Sequence, residues 1–262
     1  MKLLLLMLGL FHLATAGTAQ AQSVVFSSSE YQTTVVELFT SEGCSSCPPA
    51  DRWLSRLKND PGLWKHIIPL AFHVDYWNYL GWRDPLSNPQ YSRRQRHYAQ
   101  LGHARSVYTP GFFTNGREWR GWFKNPQLGH AAAQQTGTLT VTLDPQALSA
   151  TYRQSGSTKA SQVPLQLHVA VLGFDILSSV TRGENNGKTL HHDFVVLAHY
   201  SANPSDQDSQ SKPPEEHRWQ FKRDSLDLAQ EHARALAVWV SQAGDPTPLQ
   251  ATGGWLNPQQ LN

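Results

Sequence analysis

The feature that most constrains this chain is the run Cys44-Ser45-Ser46-Cys47-Pro48-Pro49, set between a β-favouring stretch and a helical pattern. Two consecutive prolines fit together only in the first turn of a helix, where their missing N–H groups have no intrahelical partner to lose. A helix must therefore start close to Ser46-Cys47, with Trp53, Leu54 and Leu57 supplying its apolar face. Ahead of it, Thr34 to Phe39 (TVVELF) predicts a strand, and Thr40-Ser41-Glu42-Gly43 a turn. The thiols then lie at a strand-to-helix junction. The positive helix end favours a thiolate, so the spacing predicts Cys44 as an exposed attacking thiol and Cys47 as the resolving one.

These are the only two cysteines among 262 residues. As a structural clamp they would close a four-residue ring contributing roughly 2 kcal/mol, against about 3 for a ring of 15. A bridge between distant segments would stabilise more, so redox use is favoured over a local clamp or metal ligation. The N-terminus sets the compartment. Lys2, an apolar run from Leu3 to Leu13 and the pattern Ala19-Gln20-Ala21 predict a signal peptide over residues 1–21, cut before Gln22. Its apolar core of about 11 residues is too short to span a bilayer. Export to the periplasm or the extracellular space would place both cysteines where disulfides persist.

Composition excludes several classes. A mean hydropathy of -0.46, with no internal apolar run near 18 residues, argues against a polytopic membrane protein. Twenty-two Lys and Arg against 20 Asp and Glu leave a charge of +2, which argues against a nucleic-acid partner. Motifs for a P-loop, a dinucleotide fold or a serine hydrolase are missing from the sequence.

Further along, Ile67 to Val74 predicts a strand buried on both faces, Gln90 to Leu101 a helix, and Phe112 to Arg120 a hairpin turned at Asn115-Gly116. The order β-α-β-α-β-β predicts a parallel core with an antiparallel edge. Beyond Thr136 the pattern changes to strict alternation, as in Leu139 to Leu143 and Leu165 to Val171. Further strands are expected at Phe194 to Leu197 and Ala235 to Val240, a helix at Ser225 to Arg234, and a mobile loop at Ser201 to Glu216. The expected organisation is a leader (1–21), an α/β unit (30–134) and a mostly antiparallel, sandwich-like β unit (137–262).

Around the dithiol, Glu37 is a carboxylate within an apolar strand, a candidate to take the Cys47 proton. Thr109-Pro110 precedes a strand, where a cis proline would present its backbone to a substrate. His73 and Asp75, at i and i+2, are expected to share a face and tune the thiolate; His73 with Cys44 and Cys47 would alternatively bind Cu(I). Tyr76, Trp77, Tyr79 and Trp82 suggest an apolar lip for substrate. Arg93, Arg94, Arg96 and His97 read as a solvated helix face. His191-His192 shows no regular ligand spacing, and Arg182 to Asn185 reads as a loop with an Arg–Glu pair or as a docking loop.

Four segments carry a resemblance: VVELFTSEGCSSCPPAD (Val35 to Asp51), AFHVDYWNYLGWRDP (Ala71 to Pro85), SVYTPGFFTNGRE (Ser106 to Glu118) and RGENNGKTLHHDFVV (Arg182 to Val196). They resemble the domain of unknown function 1223 family of secreted, thioredoxin-like proteins. The resemblance implies a thioredoxin-like α/β domain with an appended β domain. It also implies Cys44 and Cys47 as the redox pair and Thr109-Pro110 as the cis-proline segment. Glu37 stands one residue further from Cys44 than the usual buried acid, and Ser45 and Ser46 bring no charge to tune the thiolate. The expected function is an exported thiol–disulfide oxidoreductase with a protein or small-thiol partner and no cofactor beyond its own disulfide. The alternatives are a copper-binding or delivery protein, or a non-catalytic binding module.

Overall fold

A computed structural model describes residues 23–124, 128, 134–155, 163–204 and 216–261. The predicted leader lies outside the described residues, as does most of the predicted 201–216 loop. After β1 (Val24–Ser27), the TVVELFT run forms β2 (Thr34–Thr40), buried throughout. Helix α1 (Pro48–Ser55) begins with the two prolines in its first turn, as their missing donors require. Strand β3 (Ile67–His73) runs parallel to β2. Helix α2 (Pro89–Gln100) is capped by the Asn88 side chain, which accepts the Gln90 N–H. Strands β4 (Gly111–Thr114) and β5 (Arg117–Glu118) form the hairpin, turned by Asn115 and Gly116 at positive φ, and β4 pairs antiparallel with β2.

The second half supplies β6 (Gly137–Leu143), β7 (Ala147–Gln154), β8 (Leu165–Gly173), β9 (Ile176–Ser179), β10 (Thr189–His192) and β11 (Val195–Ala202). It continues with β12 (Glu216–Lys222), β13 (Ala233–Gln242), β14 (Asp245–Trp255) and a terminal turn of helix α3 (Pro258–Leu261). The helix expected over Ser225 to Arg234 does not form. A single 3-10 turn, Arg223–Ser225, is followed by loop whose Leu226 and Leu228 plug the second core.

The two-unit expectation is overturned. One eight-stranded sheet, in the order β14-β13-β8-β11-β3-β2-β4-β5, runs through both halves of the chain. Its seam is the parallel pair β11 and β3, where Val195 lies opposite Ala71 and the Ala71 N–H donates to the Phe194 carbonyl at 2.8 Å. The molecule is therefore mostly β and built on one large sheet. It is not an α/β thioredoxin-like domain beside a separate β domain. The physical reason is the edge of β3: left alone it would expose a row of unpaired main-chain groups, and β11 covers it. Tyr91 of α2 reinforces the seam by donating to the Val196 carbonyl at 2.8 Å.

Two cores follow. One gathers Phe39, Phe72, Tyr91, Tyr98 and Phe113 from the first half with Phe174, Phe194 and Trp239 from the second. The other fills a sandwich between the four-stranded sheet β1-β6-β7-β12 and the large sheet, through Leu139, Val141, Tyr152 and Trp219 against Val169, Val171, Leu236 and Val238. The sandwich expected in the second half exists, but one of its sheets is shared. Residues 30–134 expressed alone are thus expected to show no cooperative urea transition by circular dichroism, whereas the full chain unfolds cooperatively.

Candidate disulfide site

Strand β2 ends in a tight turn. The Cys44 N–H donates to the Ser41 carbonyl and the Cys47 N–H to the Cys44 carbonyl, and Cys47 becomes the residue that opens α1. Cys44 and Cys47 are joined as a disulfide, with Cα atoms 5.4 Å apart. Ser45 and Ser46 face solvent, and Ser46 Oγ lies 3.4 Å from Cys44 Sγ. The expected exposure of Cys44 is not found: it is 2% exposed and Cys47 0%. Part of the cover is Trp77. A Cβ on Gly43 would stand 3.0 Å from Trp77 Cβ and 3.2 Å from its carbonyl oxygen, so only glycine lets the tryptophan sit against the turn.

The Thr109-Pro110 bond is cis, and it lies at the same sheet edge because Gly111 pairs with Phe39. Trp77 Nε1 donates to Thr109 Oγ1 at 2.6 Å, so one side chain links the cysteine turn to the proline segment. Tyr76 does not form an open lip: its hydroxyl donates to Gln95 Oε1, while Gln95 Nε2 donates to the Tyr108 carbonyl. Trp82 is likewise committed, donating to Glu42 Oε2 at 2.7 Å. Tyr79, 77% exposed and stacked on Trp77, is the most open of the four, the others being half-buried. Pro110 lines a cleft of about 420 Å³ with Tyr108, Arg120, Trp122 and Phe123.

Glu37 does not approach the cysteines. Strand alternation turns it, with Phe39, toward α2. There it accepts from Arg94 Nε at 3.1 Å, from Arg94 Nη2 at 2.6 Å and from the Tyr98 hydroxyl at 3.0 Å. Arg94 is therefore no solvated residue. It is buried against Phe72, Tyr98 and Trp239, and its Nη2 also donates to the Pro246 carbonyl. Burial opposes its charge, but the Glu37 carboxylate outweighs that and holds the guanidinium pKa above its ordinary value. Removing one partner strands a buried charge. Glu37→Leu alone is expected to cost about 3–5 kcal/mol in chemical denaturation, and the pair Glu37→Leu with Arg94→Met to recover most of it.

A buried acid one helical turn from Cys47 is one the sequence reading passed over. Asp51 lies one helical turn after Cys47 and donates its N–H to the Cys47 carbonyl. It is buried, and burial raises its carboxyl pKa although His192 and His73 pull it down. His73 meets Asp84, not Asp75: Nδ1 stands 2.8 Å from Asp84 Oδ2, which also accepts the Glu42 N–H at 2.9 Å. Strand β3 ends at His73, so the i, i+2 alternation lapses, and the Asp75 carboxylate instead accepts the Ser92 hydroxyl. The His192 ring packs edge-on to His73 at 4.8 Å, with Nε2 3.4 Å from Glu42 Oε1. His73 Nε2, both His192 ring nitrogens and Glu42 Oε1 are buried and without a hydrogen-bond partner. The signal for Asp51 was its i+4 spacing from Cys47; nothing local marks Asp84 or His192.

Burial disfavours the His73 imidazolium, but Asp84, with help from Asp51 and Glu42, raises its pKa above 6.5. The folded state thus holds a proton that the unfolded chain releases near pH 6.5, and the raised Asp51 pKa acts in the same sense above 3.8. The His73 contribution to stability is expected to fall as pH rises from 6.5 through its raised pKa, while the lowered pKa values of His168 and His199 act in the opposite sense around and below 6.5. Thermal melts across that range should show the slope, and His73→Gln should flatten it.

In the disulfide, Cys44 and Cys47 present no thiolate to a metal. Among the described residues, three ligand atoms within 4.8 Å of one another occur at Asp175, His191 and Asp193. There the Lys58 ammonium already sits 2.9 Å from Asp175 and 2.8 Å from Asp193.

The stretch 182–188 forms the tip of the β9–β10 hairpin and closes over the cysteine turn. Asn185, fully buried, donates from Nδ2 to the carbonyls of Glu42 at 2.8 Å and Cys44 at 3.0 Å. Glu184 Oε2 accepts the Ser45 N–H at 3.1 Å, in place of the expected pairing with Arg182.

A family model described as a protein of unknown function, DUF1223, matches residues 35–241. Among solved structures, a crystal structure of a protein from Agrobacterium tumefaciens is similar at 23% identity and a TM-score of 0.59, covering 88% of this chain and 97% of that one. HBP35 of Porphyromonas gingivalis is similar at 15% identity and a TM-score of 0.56, covering 88% and 77%. At these identities the likeness is one of fold. A search of curated proteins finds no match.

Proposed function

The chain belongs to the DUF1223 family, whose function is unknown, and from the geometry of its disulfide we propose that it is a thiol–disulfide exchange protein. The observation that carries this reading is the placement of the Cys44–Cys47 disulfide. It opens helix α1, at the sheet edge that also bears the cis Thr109-Pro110 segment, and Trp77 links the two. The aligned peptide dipoles of α1 place positive potential at this end and favour a departing thiolate, although Pro48 and Pro49 carry no N–H to donate to it.

The oxidised pair accepts two electrons. A partner thiolate attacks Cys44 Sγ; the Cys44–Cys47 bond breaks, a partner–Cys44 disulfide forms, and Cys47 leaves as a thiolate that takes up a proton. A second partner thiol then attacks the partner sulfur, releasing Cys44 and a partner disulfide. The reverse sequence transfers a disulfide to this protein. Asp51 is the acid suited to exchange a proton with Cys47, since it sits one turn away and burial favours its protonated form. A disulfide and the leader pattern together support an oxidising, exported setting. Among the described residues no helix is long and apolar enough to cross a membrane.

Cys47→Ser is expected to trap partners as mixed disulfides on Cys44, seen as reducible adducts in non-reducing gels and identified by mass spectrometry. Recovery of none from exporting cells, with the variant folded, would refute the reading. Asp51→Asn is expected to slow resolution by Cys47 by about 10²-fold, as loss of a positioned acid–base group does, and to remove a titration from the rate–pH profile.

A further inference from the structure

An exchange site with both sulfurs buried needs a way to open, and the structure supplies a candidate in the second half of the chain. The β9–β10 pair is a two-stranded sheet outside both larger sheets. A lone hairpin is marginally stable, so it depends on what its tip touches. That tip is wound tightly: the Gly187 N–H donates to the Val180 carbonyl and the Lys188 N–H to the Asn185 carbonyl, with Gly183 and Gly187 at φ of 73° and 79°.

From it, Asn185 reaches the main chain on both sides of Gly43, and its Oδ1 is held by Lys188 Nζ at 2.9 Å. The Cys44 carbonyl therefore accepts twice, from Asn185 and from the Cys47 N–H. Glu184 takes the Ser45 N–H, a donor at the mouth of α1, and so brings a carboxylate to the residue next to Cys44.

We infer that Glu184 and Asn185 are positioning residues that latch the β9–β10 tip over the Cys44–Cys47 disulfide, so that lifting this tip controls attack on the sulfurs. The inference rests on the exchange function proposed above, and it names the regulation of that site. Asn185 holds the turn closed through the Glu42 and Cys44 carbonyls. Glu184 adds a second tie and an electrostatic bias against the reduced, thiolate-bearing state, because a carboxylate near a thiol raises its pKa. Solvent-exposed Glu184 is the part of the latch that a partner reaches first.

The test uses the full mature chain and reduced glutathione as the probe. A glutathione thiolate cleaves the disulfide to a mixed disulfide and a protein thiol, and a second glutathione releases glutathione disulfide and the dithiol protein. Asn185→Ala, which removes the two hydrogen bonds to the cysteine turn along with the one from Lys188, is expected to speed reduction about tenfold. Glu184→Gln, at an exposed position that leaves folding intact, is expected to speed it severalfold. It should also lower the pH midpoint for alkylation of reduced Cys44, a shift that loss of packing alone would not give. If Asn185→Ala does not fold, Glu184→Gln decides. A rate within twofold of the parent and an unmoved alkylation midpoint would overturn the latch. This outcome is separate from the trapping experiment: fast reduction in the variants with no partner adducts would keep the latch and remove the exchange function.

Discussion

The seam between β3 and β11 is the constraint from which the rest of the molecule follows. A parallel strand buried on both faces cannot leave one edge open, because its N–H and C=O groups would face neither water nor a partner. Closing that edge with β11 brings the second half of the chain alongside the first. Strand β10, two residues before β11, is thereby carried to the end of the sheet where β2 and β3 finish. His192 meets His73 and Asn185 meets the cysteine turn for this reason. The covered disulfide is thus a consequence of sheet continuity.

Two buried charged groups lie on different parts of this frame, and their environments give them different capacities. Glu37, Arg94 and Tyr98 satisfy one another and the Pro246 carbonyl, so that network fixes structure. The set beneath α1 is less completely paired. His73 and Asp84 form a good pair, yet among the described residues His73 Nε2, the His192 ring nitrogens and Glu42 Oε1 make no hydrogen bond, and burial pushes Asp51 toward its protonated form. Incomplete pairing of buried polar groups costs stability, and Asp51, whose carboxyl pKa burial raises, is suited to exchanging protons. The proposed chemistry uses the second set and leaves the first as scaffold.

The β-α-β-α-β-β order, the helix start at Pro48 and the turn at Asn115-Gly116 were legible because each has a local cause: proline geometry, alternation and a positive-φ turn. The site was only partly legible. Cys44 and Cys47 stood out by spacing and scarcity. Glu37 and Arg94 misled, since sequence shows that a residue is charged but not which face of a strand or helix it occupies. Asp75 misled because the strand ends at His73, so the alternation does not carry on to residue 75. Asp84 and His192 left no local mark at all, being joined to His73 from a loop and from a strand more than 100 residues away.

The sequence by itself determined the local rules: where helix α1 must begin, that two cysteines within one turn of each other can pair, and which stretches alternate as strands. Tertiary structure alone decided which strands share a sheet, that the sulfurs are covered, and which buried groups meet His73. The reason is physical. Local conformation follows from the few dihedrals of neighbouring residues, whereas burial and pairing depend on the closing of an edge whose partner lies elsewhere in the chain.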